Sequence, residues 1–551
     1  MTLVKDIGNA EDRLILVNDY FLFDWIVQKN ICLPFSLLLL IIGKNNIVHD
    51  PKNGYDFSMS QETTQTTESE FEVRENKLSI YREKGIEPFG YEYDRTHTIQ
   101  DALNLGDGLS AGDKTDHIVR VAGRIKAKRG HGKAVFANVS DQTGAIQLYA
   151  SVNDLDMFDL FEMLDVGDIV GVTGTIFLTR RGEITINVSS FSLLTKSLHP
   201  LPEKYHGLQD KEARYRRRYV DLIANPDVMD VFKKRSSVIR DIRNYLADQA
   251  FIEVETPVLH HIYGGASARP FTTHHNELKQ DLYLRIALEL HLKRLIVGGF
   301  EKIFEIGRVF RNEGVSFKHN PEYTLLELYQ AYADYSDMMN LTEQLMNHLV
   351  VQTYGSETIE YQGQELNFSL PFKRISMRDA ILEHSGLDIN LASVQDMMDL
   401  LKTKDLEFSV DSPKGELINE VYDAFVEDHL VQPTFIVDYP LETSPLAKKN
   451  RNNSAYVERF ELIINKMEIA NAFTELNDPI DQKERFEGQQ KAREAGFEEA
   501  HQMDEDFIEA LSYGMPPTGG LGIGIDRVVM ILTNSQSIRD VVFFPHLKHI
   551  S

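Results

Sequence analysis

Phe310-Arg311-Asn312-Glu313-Gly314, followed by Lys318-His319-Asn320-Pro321-Glu322-Tyr323-Thr324 and Leu326-Glu327-Leu328-Tyr329, puts charged side chains where an ordinary core would have apolar ones. Residues Lys302–Phe310 alternate well enough for a half-buried strand, and an apolar rhythm resumes at Tyr323–Tyr332 after Gly, Asn and Pro punctuation. The pattern predicts two strands around a loop. Periodicity alone leaves open a plain hairpin with a solvated tip. A second stretch, Gly519-Gly520-Leu521-Gly522-Ile523-Gly524-Ile525-Asp526-Arg527, repeats glycine at period two and then opens an apolar helix over Val528–Thr533. One side of such a strand carries no side chains, so a flat ligand or another backbone can approach it. It lacks the third glycine of a dinucleotide fingerprint, and the chain has no Gly-x-x-x-x-Gly-Lys-Ser/Thr loop.

These phrases resemble those of the class II aminoacyl-tRNA synthetases. Phe251-Ile252-Glu253-Val254-Glu255-Thr256-Pro257 is similar to their motif 1 (251–257), the Phe-Arg-Asn-Glu-Gly stretch to motif 2 (304–329), and Gly520–Arg527 to motif 3 (520–533). The wording is closest to that of the bacterial lysyl-tRNA synthetases: Gly264-Gly265-Ala266-Ser267-Ala268-Arg269-Pro270-Phe271, Tyr283-Leu284-Arg285-Ile286-Ala287 and Glu475-Leu476-Asn477-Asp478 are all phrases of that family. The resemblance runs from about Glu70 to the C-terminus.

Composition is compatible with this. A chain of 551 residues with 42% hydrophobic content suits more than one globular domain. The net charge of −26 argues against a polyanionic partner unless cations cluster. They do, at Lys126-Ala127-Lys128-Arg129 with Lys133 and at Arg214-Tyr215-Arg216-Arg217-Arg218, and local patches rather than net charge set phosphate contacts. A solvated face is the alternative for each cluster. A single cysteine, Cys32, excludes an internal disulfide framework and a cysteine-built metal site, which fits a reducing, cytoplasmic setting. The apolar run Ile31–Ile42 is shorter than a membrane span needs. Met59 opens a polar leader, so residues 1–58 are expected to be a non-native or disordered extension, with a membrane-associated helix or signal segment as rivals.

The expected organisation is α+β. A helix over Glu70–Lys84 and a five-stranded OB-type barrel fall within residues 59–205, and a class II catalytic core, an antiparallel sheet flanked by helices, fills 206–551. The barrel strands are read at Ile118–Ile125, Ala134–Val139, Ala145–Ala150, Asp168–Gly174 and Glu183–Phe191, with a helical insert at Asp154–Leu164. Val228, Val231, Phe232, Ile239, Ile242 and Leu246 predict a helix from Asp227.

The resemblance implies ATP-dependent activation of L-lysine to lysyl-adenylate and transfer to the 3′ end of tRNA(Lys), by a cytoplasmic homodimer with Mg²⁺ and no membrane partner. It implies Arg311 and Arg527 at the phosphates, Tyr323 on the adenine, and Glu313, His319 and Asn320 shaping the loop around ATP. Glu327, Glu475 and Tyr329 would meet the side-chain ammonium of lysine, Glu289 and Gly265 its α-amino group, and Asn471 its carboxylate. Phe136 would stack on an anticodon base, with Gln147 and Glu183 at base edges. The metal pair is Glu461 and Glu468, cross-strand neighbours if Asn465 lies at a hairpin turn, although Lys466 stands where the family usually has Gly. Leu288 likewise stands where the family usually has Pro. Competing readings are an aspartyl- or asparaginyl-type synthetase, a lysylating enzyme of an elongation factor, and a nucleic-acid-binding OB protein with an inactive core.

Overall fold

The computed structural model describes residues 69–549 apart from 131, 203–207, 405, 407–412 and 495–500. The expectation for residues 1–58 lies outside the described residues, as does Cys32. The chain divides into two compact units, Met1–Gly85 and Ile86–Ser551. In the first, the helix Glu70–Glu83 opens with a capping box: Ser69 Oγ accepts from the Glu72 N–H while the Glu72 carboxylate accepts from the Ser69 N–H. No helix of the described residues is long and apolar enough to cross a membrane.

In the second unit, β1 (Lys114–Arg129), β2 (Ala134–Ser140), β3 (Ala145–Ser151), β4 (Ile169–Leu178) and β5 (Ile184–Thr195) close a barrel in the order β1-β2-β3-β5-β4. Alternation drives it: Val135, Ala137 and Val139 on β2 and Ile146, Leu148 and Ala150 on β3 are all buried, while Phe136 and Asn138 between them are half-exposed. β3 and β5 pair in parallel to complete the closure. The short helix Phe158–Glu162 follows β3, with Phe161 edge-on to Phe191 of β5.

The basic clusters divide: Arg129, Lys133 and Arg217 are exposed, whereas other members turn to acceptors within the protein. Lys126 Nζ donates to the Ile223 carbonyl, and Lys128 Nζ donates to the carbonyls of Glu162 and Leu164, the free end of the short helix. Arg218 is 1% exposed and pairs with Asp221, which also holds Arg214. Backbone acceptors beside these cations, invisible in the linear sequence, decide the outcome.

The remainder of this unit is built on an eight-stranded sheet in the order β14-β15-β16-β17-β18-β11-β10-β6. Its strands are β6 (Ile252–Glu253), β10 (Lys302–Phe310), β11 (Glu322–Ala331), β14 (Lys373–Ser376), β15 (Thr434–Pro440), β16 (Tyr456–Ile464), β17 (Met467–Thr474) and β18 (Thr518–Gly524). The antiparallel reading holds for the inner pairings, whereas the two edge pairings, β14 with β15 and β6 with β10, are parallel. Smaller sheets are β7 (Leu259–His260) with β9 (Gln280–Leu284) and β8 (Thr272–His275), and the hairpin β12 (Thr358–Tyr361) and β13 (Gln364–Asn367).

The two faces of the large sheet differ in what they carry. On one, Phe304, Leu326, Leu328, Phe460, Leu462, Ala470, Ala472, Leu521 and Ile523 share a core with the helices Pro226–Asp248, Tyr335–Tyr354 and Ile525–Leu532. Each fully buried leucine there is worth about 1.5–3 kcal/mol of transfer free energy. Residues one step out of phase face the other way, because side chains alternate across a strand. These are Glu327 and Tyr329 on β11, Arg459 and Glu461 on β16, Asn471 on β17, and Gly520, Gly522 and Gly524 on β18, and all line one cavity. The period-two glycines are therefore the floor of a site.

Candidate active site

The cavity measures ≈ 390 Å³ and has an acid end and a basic end. At the acid end Glu289, Glu327 and Glu475 are respectively 5%, 5% and 1% exposed. Glu327 accepts from the Leu288 N–H at 3.0 Å and from the Tyr329 hydroxyl at 3.1 Å. Burial, followed by the nearby Glu289 charge, pushes the Glu327 carboxyl up to about 7. Burial raises Glu475 against the opposing Lys293 charge, with Glu289 adding to the rise, and its Oε1 has no hydrogen-bond partner among the described residues. Glycines let these groups converge. A Cβ on Gly520 would lie 1.9 Å from Glu475 Oε1 and 2.6 Å from the Tyr329 ring, whereas one on Gly522 would meet nothing closer than 3.8 Å. Gly265, at φ +87°, brings its backbone against Glu289, whose Cβ would be 3.1 Å from an added one.

Lys293, which no sequence motif singled out, completes this end. Its side chain is fully buried and pairs with both Glu289 and Glu475. The available signal was its place four residues after Glu289 on the helix Glu289–Val297, one turn along the same face.

Toward the middle, Arg311 donates from Nε to the Ile286 carbonyl at 3.3 Å and lies over the Tyr323 ring, 5.3 Å from its centroid. Its terminal amino groups have no partner among the described residues and line the cavity. Burial pushes the Tyr323 phenol up to about 12, so it stays neutral. Asn320 is buried, donates to the Glu322 carbonyl at 2.6 Å and leaves its Oδ1 without a partner. Glu313, also on the lining, is exposed.

At the basic end, Arg527 donates to the Glu468 carbonyl at 2.5 Å and lies 3.5 Å from that residue's carboxylate. Its other amino group faces His319 Nε2 at 3.3 Å. Burial, then the charges of Arg527 and Lys318, lower the His319 pKa. A neutral imidazole accepting at Nε2 carries its proton on Nδ1, which faces Ser316 Oγ at 2.9 Å.

The metal hairpin requires a correction. Asn465 and Lys466 do form its two-residue turn, both left-handed at φ 46° and 63°. However, a two-residue turn pairs Ile464 with Met467 and Ile463 with Glu468, and the register shift between Leu462 and Ile463 then sets Glu461 opposite Asn471, so the two acids are not direct cross-strand partners. The two carboxylates still face the same cavity, across the bulge. Burial and then the Glu468 charge push Glu461 up to about 7, despite a 2.6 Å ion pair with Arg459. Arg459, another residue missed from sequence, also donates to Asn471 Oδ1 at 3.2 Å and rests on the Tyr439 ring at 4.3 Å.

Comparison with known proteins supplies the family. The model of class II tRNA synthetases (D, K and N) matches residues 210–548, and that of the OB-fold nucleic acid binding domain matches 119–194. A lysine–tRNA ligase of Carboxydothermus hydrogenoformans is 56% identical over 481 residues, 86% of this chain and 97% of that protein. Lysine–tRNA ligases of Thermoanaerobacter sp. and Bacillus anthracis are 55% and 54% identical, over 86% and 87% of this chain and 95% and 97% of theirs. The chain belongs to the class II tRNA synthetases.

In this synthetase the barrel carries a second candidate surface. Phe136, on the outer face of β2, lies 5.0 Å from the Tyr149 ring, which is 6.1 Å from Phe177, and Arg129 stands over Phe136. Tyr149 and Phe177 extend the aromatic surface beyond what the sequence reading assigned. Gln147 is nevertheless buried, donating to Glu183 at 2.7 Å and accepting from Thr185 at 3.1 Å.

Proposed function

We infer that the chain is a lysine–tRNA ligase that activates L-lysine with ATP and transfers the lysyl group to the 3′ end of tRNA(Lys). The observation that carries this reading is the acid end: three buried carboxylates and the Tyr329 hydroxyl gathered beside Arg311. Ammonium groups are costly to desolvate, so such a pocket binds a doubly amino-bearing substrate and leaves neutral or acidic side chains with unpaired acids. An aspartate side chain would need a free cation there, whereas Lys293 is already bound by two acids, and an asparagine amide would leave the buried acids without a counter-charge.

In the first step, the lysine carboxylate attacks the α-phosphorus of ATP, the bond to the β-phosphate breaks and diphosphate leaves. Both reactants are anions, so the protein aligns them and neutralises charge. Arg311 would bridge the carboxylate and the α-phosphate with its free amino groups. Tyr323 and Asn320 would receive the adenine, and Arg527, backed by neutral His319, would meet the outer phosphates, with Glu313 at the loop. Glu327, Glu475 and Tyr329 would take the side-chain ammonium, with Glu289 and the Gly265 backbone at the α-amino group and Asn471 at the carboxylate. Glu461 and Glu468 suit a hard cation: the Glu468 charge adds to burial in raising the Glu461 carboxyl, and Mg²⁺ held by the two would relieve that and supply charge neutralisation at the phosphates. In the second step, a terminal hydroxyl of the tRNA attacks the acyl carbon and AMP leaves, with Phe136, Gln147 and Glu183 reading the anticodon.

A homodimer working in the cytoplasm is part of this reading. Exposed Ile252, Val258, Leu259 and Ile262 around β6 and β7 offer an apolar surface for a second copy, and sedimentation should give twice the chain mass. ATP–diphosphate exchange with each of the twenty amino acids tests the substrate. Lysine alone should drive label into ATP, and exchange driven by aspartate or asparagine instead would overturn the assignment.

A further inference from the structure

Three carboxylates converge at the acid end, yet a diamino acid brings two ammonium groups. Lys293 accounts for the difference. Its side chain is 0% exposed, it pairs with Glu289 one turn earlier on its own helix and with Glu475 after β17, and its Nζ lies 5.9 Å from the Phe507 ring centroid. Glu327 and Tyr329 come from β11, and His501, fully buried with an unpartnered Nδ1, lines the same cavity. Burial and then the Lys293 charge hold the His501 imidazole down to about 4, so it adds no second cation.

We propose that Lys293 is a positioning residue that sets the charge of the amino-acid site, holding Glu289 and Glu475 together and leaving two net negative charges for the two ammonium groups of the substrate. Without it, a third buried carboxylate would lack a partner. Such a group takes up a proton, and binding a dication would then require that proton to be expelled. Lys293 itself touches no substrate in this scheme. Arg311 remains matched to the substrate carboxylate, so the count concerns the ammonium groups alone. The inference rests on the lysine reading above and adds how that site is kept selective.

The test is calorimetric titration of L-lysine into the full-length chain in two buffers of different ionisation enthalpy near neutral pH, which counts protons released on binding. Lys293→Met should release about one more proton per lysine than the wild type, with lysine affinity falling about tenfold more steeply per pH unit of acidification than it does in the wild type. Lys293→Arg should stay near the wild-type count. Lys293→Gln, which keeps a polar side chain without the charge, should give the same extra proton, and it decides the matter if the methionine variant does not fold. A wild-type count in either uncharged variant, or an extra proton in Lys293→Arg, would overturn the proposal. A wild-type chain that binds no lysine would instead sink the lysine reading.

Discussion

The barrel face and the core cavity solve recognition in opposite ways. On the barrel, Phe136, Tyr149 and Phe177 form a partly exposed aromatic surface, and the neighbouring polar groups Gln147 and Glu183 satisfy one another until a ligand arrives. In the cavity, acids are buried to 5% exposure or less and one carboxylate oxygen is left without a partner. Stacking tolerates water and gains a modest amount per base. Charge matching in a desolvated pocket is severe toward the wrong substrate, since an unmet buried acid is costly. The difference teaches why anticodon reading and amino-acid choice should be separable by mutation.

The strongest attempt to break that separation is at the junction of substrates. Arg311→Ala should lower lysine-dependent ATP–diphosphate exchange by about 10³-fold while the fold, read by circular dichroism, is retained. Next, Glu475→Gln should raise the KM for lysine by roughly 10²-fold, because a buried ion pair loses its charge partner. Phe136→Ala should cut kcat/KM for tRNA by about 10- to 100-fold, a loss of about 1–3 kcal/mol, and leave exchange intact. Equal loss in both assays would make Phe136 a folding residue and dissolve the contrast.

A pH series sharpens it. The Glu327 carboxyl, raised to about 7, must be ionised to meet an ammonium. Lysine affinity should therefore rise with pH through that value and fall about tenfold per unit below it. The same series with Glu327→Gln should be flatter, and tRNA affinity for the barrel should follow no such curve. The smallest effect belongs to the hairpin turn. Lys466 holds a left-handed φ of 63°, so Lys466→Gly should stabilise the core by about 1 kcal/mol, seen as a higher thermal midpoint.

Much of this was legible before any coordinates. The alternation of Lys302–Phe310, the five barrel strands and the glycine period of Gly520–Gly524 each follow from side-chain phase, and the structure has strands at all of them. The cavity also gathers the residues named from motif resemblance for ATP, lysine and metal. What escaped depended on contacts between distant segments. Lys293 looks like any lysine on a helix until Glu475, far along the chain, closes over it. Arg459 looks like a polar strand residue until Asn471 and Glu461 share it. Asn465 pointed correctly to the turn, but a two-residue turn already pairs Glu468 with Ile463, and the bulge at Leu462 and Ile463, which has no composition signature, sets Glu461 opposite Asn471. Within the basic clusters, the inward turn of Lys126 and Lys128 was hidden for the same reason, their acceptors being carbonyls on other elements.

The bare floor of β18 also maps where the enzyme can be redesigned. A methyl group at 520 would collide with Glu475 and Tyr329, whereas at 522 it would rest in ordinary contact with the Asn471 carbonyl and Glu327. Two glycines that look equivalent in the chain thus divide into a locked position and an adjustable one. Shortening the chamber for a smaller diamine-bearing substrate should begin at Gly522→Ala, with Gly520 left alone.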